Sequence, residues 1–369
     1  MASPLPDSGN SPIPTGTIAP VPWQQARKVR DETITLAHGS GGRAMRDLIV
    51  DLFISAFENP ALAPLEDQAR FNLGDFLALG DRLAFTTDSY VVDPLFFPGS
   101  DIGALAVNGT VNDLVVSGAI PLYLSCSVIL EEGLPMLTLR QVVQSMAASA
   151  RKAGVQIVTG DTKVVPRGSA DKLFINTTGI GVMRQGVNPS AQAIQPGDVV
   201  LVNGYLGNHG AAILLARGEL ALETTIESDC QPLNGLVEDI LAVCPEVRAM
   251  RDATRGGLAT VLNEFAQSGQ VGIRIWESTL PVQPEVAGLC ELLGLDPLYL
   301  ANEGKLVVVV PPDRAEAVLT VMQSHPLGHH SCRLGEVLAT PPGVVVMKTT
   351  FGSERLVDQL VGDQLPRIC

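Results

Sequence analysis

The apolar pattern of this chain runs through one set of short β-rich and helical stretches, breaks at 188–198 ("NPSAQAIQPGD"), and then begins again. Proline, glycine and small polar residues fill the break, as in connections between packed units. A chain of 369 residues is longer than one hydrophobic core usually supports, so the restart predicts two domains. In the first half a glycine-rich loop at Gly39 to Gly42 precedes an amphipathic helix, with Met45, Leu48, Ile49 and Leu52 near helical spacing. Two β-rich runs around Gly80-Asp81 read as a hairpin. A helix over "IGALAVNGTVNDLVVSGA", a buried strand "LYLSCSVIL", a helix ending at Gly154, and strands "VQIVTGD" and "KLFINTTGIGVM" follow.

The second half opens on strand "VVLVNG" and continues with helices near 209–217, 233–243 and 256–267, and strand "VGIRIW". Helix 286–293, strand "KLVVVVPP", helix 313–323 and strands near 333–338 and 343–348 complete it. Short connections between strands favour α+β sandwiches over a strict βαβ winding. The expected organisation is a disordered Pro/Ser/Gly-rich tail at 1–32, an N-terminal domain at 33–185, a C-terminal domain at 186–350 and a mobile tail at 351–369.

A formal net charge of −14 argues against a nucleic-acid partner, because binding a polyanion needs a basic surface that displaces counterions. The same carboxylates suit divalent cations. The first 30 residues contain no apolar signal-peptide core, and stretches such as "LVVVVPP" are too short to span a bilayer. A cytoplasmic protein is expected, with no membrane association.

Six cysteines at 126, 230, 244, 290, 332 and 369 form no C-x-x-C pair, which resembles neither a zinc site nor a small disulfide framework. In a reducing compartment they stay thiols. Five read as core or neutral positions. Cys369 is different: it closes the chain in "PRIC", where ends are usually exposed, although cysteine kept for packing is usually buried.

Several stretches carry candidate chemistry. "HGSGGR" at 38–43 precedes a helix, where successive backbone N–H groups can cradle an anion, and it reads equally as a glycine turn. No Walker A loop occurs. Asp88, Asp113 and Asp161 end apolar runs beside Thr, Asn or Gly; converging carboxylates repel unless a cation lies between them, and Mg²⁺ takes one or two of them with phosphate oxygens and water. Singly, each is an ordinary turn or cap residue. Lys163 follows in "TGDTKVV", Asp252 opens "DATRGGLATVL" as a metal candidate or a helix N-cap, and Glu303 stands at a strand entrance in "ANEGKLVVVV". The histidines of "SHPLGHH" lie in a Pro- and Gly-containing loop and read as surface.

Taken together, "AHGSGGR", "TTDSYVVDPLFFPG", "NGTVNDL", "TGDTKVVPRG", "RDATRGGLA", "LLGLDPLYLANEGKL" and the terminal "PRIC" resemble the HypE family of hydrogenase maturation factors. That family lies in the superfamily of aminoimidazole ribonucleotide synthetase, selenophosphate synthetase and thiamin-monophosphate kinase. The resemblance runs from about residue 33 to the end. It implies the two-domain aminoimidazole ribonucleotide synthetase-like fold, with N-terminal strands joining across a homodimer as a β-barrel and a flexible C-terminal tail.

It also implies a reaction: the carbamoyltransferase HypF loads a carbamoyl group onto Cys369, ATP drives its dehydration to a thiocyanate, and the product passes to HypC–HypD to supply the cyanide ligands of nickel-iron hydrogenase. On the matching motifs, Gly39, Ser40, Gly41, Gly42, Asp88, Asn112, Asp113, Asp161 and Thr162 are implied at the nucleotide. Asp88, Asp113, Asp161 and Asp252 are implied at Mg²⁺, and Cys369, Lys163 and Glu303 in catalysis. The chain-terminal carboxylate should raise the Cys369 pKa, and Arg367 is expected to offset it.

Three other readings compete. A selenophosphate synthetase would want a reactive cysteine and a lysine near the glycine loop, and the first cysteine here is Cys126. A nicotinamide oxidoreductase would want G-x-G-x-x-G after a strand, which is absent. A non-catalytic thiol carrier would show no ATP turnover dependent on Cys369.

Overall fold

The computed structural model describes residues 27–218, 225–362, 365 and 367–369. Most of the expected N-terminal tail therefore lies outside the described residues. The first half supplies β1 (Arg82–Tyr90), a short pair β2 (Phe96–Phe97) and β3 (Ser100–Asp101), β4 (Ala119–Glu131), β5 (Gln156–Val165) and β6 (Leu173–Met183). Its main sheet has the order β1-β6-β4-β5, antiparallel except for the β4–β5 pair. Helix Met136–Ala153 makes that one parallel crossover, and Gly154 ends it in the left-handed region at φ 71°.

The expected hairpin at Gly80-Asp81 does not form. Residues Leu73–Leu77 are helical, and β1 pairs with β6, about ninety residues downstream, with Asp88 opposite Thr177. A β-rich run records only that one face is buried; a long-range partner decided the pairing.

Helix Ile102–Val116 lies against the inner face of this sheet. Asp101 caps it, accepting from Gly103 N–H at 2.7 Å and Ala104 N–H at 3.1 Å. The helix is buried almost all round because helix Met136–Ala153 and the C-terminal half cover its other sides.

The second half builds a seven-stranded sheet from β7 (Val199–Val202), β8 (Ala249–Asp252), β9 (Gly272–Trp276), β10 (Leu306–Val310), β11 (Cys332–Leu338), β12 (Val345–Lys348) and β13 (Glu354–Leu356), ordered β13-β12-β9-β11-β7-β10-β8. The continuous run "LVVVV" of β10 is buried throughout, between β7 and β8. Asp252 ends strand β8 rather than capping a helix: the next helix starts at Gly257 with Gly256 as its cap.

One buried cluster runs through both halves, from Ile34 and Val107 to Val237 and Val310, and it includes Ile368 of the C-terminus. The outer face of the four-stranded sheet is only partly covered in the single chain: Phe71 stacks on Tyr123 at 4.0 Å, while Leu83, Phe85 and Ile129 are exposed. Among the described residues no helix is long and apolar enough to cross a membrane.

Candidate active site

The carboxylates singled out by sequence separate into two groups. Asp88 projects from β1 toward helix Ile102–Val116, on which Asp113 sits, and the two carboxyls are close enough to act on each other. Thr86 Oγ1 donates to Asp113 Oδ2 at 2.8 Å. From the other domain, Asp252 at the end of β8 lies opposite Leu306, so Glu303, just before β10, is its neighbour.

Burial and mutual repulsion act on Asp88, Asp252 and Glu303. Burial first, then Asp113, pushes the Asp88 pKa up to about 6. Burial first, then Asp113 and Asp88, pushes Asp252 up to about 7. Burial, Asp252, Asp229 and Asp88 hold Glu303 far above the usual carboxylate range. The seam between the domains is thus a place where negative charge is disfavoured until a cation arrives.

Glu303 is held by its backbone. Its N–H donates to Asp229 Oδ1 at 3.1 Å, and its carbonyl accepts from Asn112 Nδ2 at 3.3 Å. Asp229 is buried against Lys305 Nζ at 3.0 Å; burial pushes its pKa up, but the Lys305 ammonium and the hydrogen bond from Glu303 N–H outweigh this and leave it lowered. Asn112 also donates to the Gln231 carbonyl and accepts from Leu233 N–H. The structure therefore places Asn112 as a tie between the domains that orients the Glu303 segment.

The C-terminus docks into this seam. Val91 N–H donates to the terminal carboxylate of Cys369 at 3.1 Å, and Asp93 N–H donates to the Arg367 carbonyl at 3.3 Å, so the tail runs beside the chain that leaves β1. The Ile368 side chain is buried in the shared core. Burial pushes the partly buried Cys369 thiol up to about 12, with Glu303 and Asp88 adding to it and Arg255 opposing. Arg367 does not serve the thiol, because its guanidinium turns to the Val91 carbonyl and to Asp171. Arg255 is the cation that acts there. It borders both the cavity of about 390 Å³ beside Cys369 and the cavity of about 720 Å³ beside Asp113 and Asp252.

Asp161 and Lys163 form the second group. Asp161 lies in register with Ser127, which pairs with Asn176 opposite Ser89; Asp88 is in register with Thr177 and Cys126. Since side chains alternate faces along a strand, Asp161 stands on the outer face and Asp88 on the inner one. Asp161 and Lys163 pair at 2.7 Å, both more than half exposed, and the lysine holds the carboxyl below its ordinary value. Within one chain Asp161 does not join Asp88, Asp113 and Asp252, and Lys163 does not reach Cys369.

The glycine loop sits with this second group. At Gly39 a Cβ would come within 2.8 Å of the Val164 backbone nitrogen, so only glycine lets the loop lie on β5; Gly41 has φ 76°. Ser40 Oγ donates back to the Ala37 carbonyl at 3.0 Å. Gly41 and Gly42 line a cavity of about 670 Å³ with Phe53, Thr159, Asp161 and Thr162.

Among the described residues, no three His, Cys, Asp or Glu side chains close on one point as a preformed metal site. The seam nevertheless fits Mg²⁺. Its donors are hard carboxylate oxygens with raised proton affinity, and this ion asks for only one or two of them beside phosphate and water.

Sequence reasoning missed Asp229, Lys305 and His209, and passed over Arg255 inside the quoted "DATRGG". For the buried pair no local signal exists, because its partners come from distant segments. His209, in "GNHG", was the one findable residue: an imidazole in the first turn of a helix that is apolar beyond Asn208 and His209.

Residues 66–183 match the family described as AIR synthase related protein, N-terminal domain, and residues 195–348 match its C-terminal domain. The chain is 57% identical over 341 residues to carbamoyl dehydratase HypE of Rhodobacter capsulatus, covering 92% of this chain and 99% of that one. It is similar to a crystal structure of hydrogenase maturation protein HypE in complex with ATP, with TM-score 0.86 and 51% identity over 90% of this chain and 99% of the other. A crystal structure of a HypE–HypF complex aligns with TM-score 0.74 and 47% identity, covering 85% of this chain and 99% of that one.

Proposed function

The chain belongs to the HypE family of carbamoyl dehydratases within the AIR synthase related fold, and from that premise we propose that its ATP-dependent dehydration acts on a carbamoyl group carried by its own Cys369. The product is the S-cyanate that supplies the cyanide ligands of nickel-iron hydrogenase. The observation that carries this reading is the docked C-terminus, with the Cys369 thiol under the influence of Glu303, Asp88 and Arg255.

The electrostatics favour a neutral cargo. A thiolate is costly in a buried site flanked by carboxylates, so the docked thiol stays protonated and is a poor nucleophile. Loading by HypF therefore belongs to an undocked tail. Once carbamoylated, the sulfur carries no charge and can enter the seam without that penalty.

Dehydration then needs two changes at the amide. Its oxygen takes the γ-phosphoryl group and ADP leaves; the C–O bond breaks with phosphate as leaving group, while nitrogen forms C≡N on sulfur as it gives up one proton to the carboxylate base and the other to the departing phosphate. In sum, S-carbamoyl and ATP become S-cyanate, ADP and phosphate. Glu303, clamped through its backbone and high in proton affinity, is the base for nitrogen. Arg255 neutralises the oxygen in the seam, and Lys163, which does not reach Cys369 within one chain, would act on the transferring phosphoryl group from across a subunit boundary. Asp88, Asp113 and Asp252 would hold Mg²⁺, which when bound offsets phosphate charge.

The glycine loop, with Asp161 and Thr162, closes over the nucleotide. A homodimer built through the outer sheet face would cover Leu83, Phe85 and Ile129 and put Asp161 and Lys163 at the subunit boundary. The cyanide passes from Cys369 to HypC–HypD, in the cytoplasm.

Mass spectrometry tests the acceptor. With HypF, carbamoyl donor and ATP, the intact protein should gain one carbamoyl mass and then lose one water. Cys369→Ala should bind ATP and gain neither; a variant that still carries the carbamoyl group would end the assignment.

A further inference from the structure

Docking of the C-terminus uses three main-chain oxygens, the carbonyls of Arg367 and Ile368 and the terminal carboxylate of Cys369, and they are not equivalent. Those of Arg367 and Cys369 accept from the main-chain N–H groups of Asp93 and Val91, and Arg217 Nη2 also reaches the Arg367 carbonyl at 3.2 Å. The carbonyl between them, that of Ile368, accepts from an imidazole: His209 Nε2 at 2.8 Å. His209 is fully buried, stacks edge-on against Phe97 at 5.4 Å, and is not needed by the chemistry above.

The tautomer follows from the partners. A carbonyl only accepts, so Nε2 carries the hydrogen. Nδ1 then accepts from Ser228 Oγ at 2.8 Å, and Ser228 Oγ itself accepts from Cys230 N–H at 3.2 Å. The result is a directed chain from Cys230 through Ser228 and His209 to the residue before the acceptor thiol. Burial lowers the His209 pKa, which keeps the ring neutral and this direction intact.

We propose that His209 is the positioning residue that holds the C-terminal tail inward, its Nε2–H fixing the Ile368 carbonyl and thereby setting Cys369 in the seam. The inference rests on the reading of Cys369 as acceptor only for its purpose, not for its geometry. Partly exposed backbone groups near the tail end can trade their bonds for water; a buried imidazole donor left without its acceptor cannot, so losing this bond is costly to the docked state.

Thiol labelling of the full-length protein, without nucleotide or donor, reads tail release directly. The rate at which iodoacetamide modifies Cys369, taken by intact mass against a Cys369→Ser control, scales with the undocked fraction. His209→Ala should raise it about 5- to 30-fold, the range expected for losing a buried hydrogen bond. His209→Gln, whose amide nitrogen can stand where Nε2 stood, should return it toward the wild-type rate.

A folded His209→Ala that labels no faster than wild type overturns the proposal, as does a Gln variant as fast as Ala. Should His209→Ala not fold, Ser228→Ala replaces it: freed of its director, the ring loses the enforced tautomer, and labelling must rise roughly 2- to 5-fold; no rise overturns the proposal. Labelling that behaves as expected in a protein that never gains carbamoyl mass would sink the acceptor reading and leave the latch standing.

Discussion

Two acidic sites on one four-stranded sheet behave in opposite ways. On its inner face Asp88 and Asp113, with Asp252 and Glu303 from the other domain, share a buried seam where burial and repulsion raise the pKa of Asp88, Asp252 and Glu303. On its outer face Asp161 is exposed, already paired with Lys163, and lowered. The side chains differ little in chemistry; burial and company make the difference. A satisfied pair contributes little to binding by itself, whereas carboxylates held together against their repulsion gain from any cation that enters. The seam is where the fold has concentrated a charge repulsion that an entering cation would relieve.

The sharpest way to break this contrast is Glu303→Gln. If the seam holds the base, single-turnover dehydration of the carbamoylated enzyme should fall by roughly 10²- to 10⁴-fold. Wild type should also speed up as pH rises and the raised carboxyl ionises, whereas the Gln variant should lose that pH dependence. A variant that keeps both the rate and its slope would place the base elsewhere.

Asp113→Asn should come next. Removing one charged donor should weaken Mg·ATP about 10- to 100-fold by calorimetry, with metal-free ATP much less affected. Equal affinity for Mg·ATP would move the metal out of the seam.

How the two sites divide was only partly legible in the sequence. The candidate carboxylates stood out because each interrupts an apolar run, and the glycine loop because nothing but a close approach or a left-handed turn requires such spacing. Face and partner were hidden. Asp161 looked equivalent to Asp88 because both follow β-rich residues, yet one step of register sets them on opposite faces. Asp252 looked like a helix cap, but a strand through Met250 had already paired with β10. Asn112 looked like a ligand of nucleotide beside Asp113; its contacts are with Gln231, Leu233 and Glu303, which no local pattern announces. The docked tail was foreseen as a carrier of chemistry, while the imidazole that receives it was not.

Stability gives a third contrast. Asp252 has a folded pKa near 7 against an ordinary 3.8, so the folded state binds more protons than the unfolded one between those values. Its protonation therefore stabilises the apo protein fully below the ordinary value, and that contribution is lost as pH rises through about 7. Asp252→Asn should raise apo stability at pH 8 by about 1–3 kcal/mol, as expected for relieving a buried like-charge repulsion, and flatten its decline between pH 5 and 8. Thermal melts of apo protein across that window provide the check; an Asn variant less stable at pH 8 than wild type would show that Asp252 has a compensating partner in the folded chain.

The smallest expected effect belongs to the outer pair. Asp161 is lowered mainly by its hydrogen bond from Lys163, so the sign reverses: its ionisation stabilises the fold above the ordinary carboxylate pKa and is lost only as pH falls below it. Both partners are more than half exposed, which limits the pair to about 0–1 kcal/mol. Lys163→Ala should therefore shift the melt little, and by the same amount at pH 6 and pH 8, where Asp252→Asn shifts it by different amounts. The same Lys163→Ala should still slow dehydration if its proposed place beside the transferring phosphoryl group is right. A lysine that costs turnover without costing stability is a functional group at rest on a convenient counter-ion; one that costs stability as much as Asp252→Asn alters it would erase the distinction between the two faces.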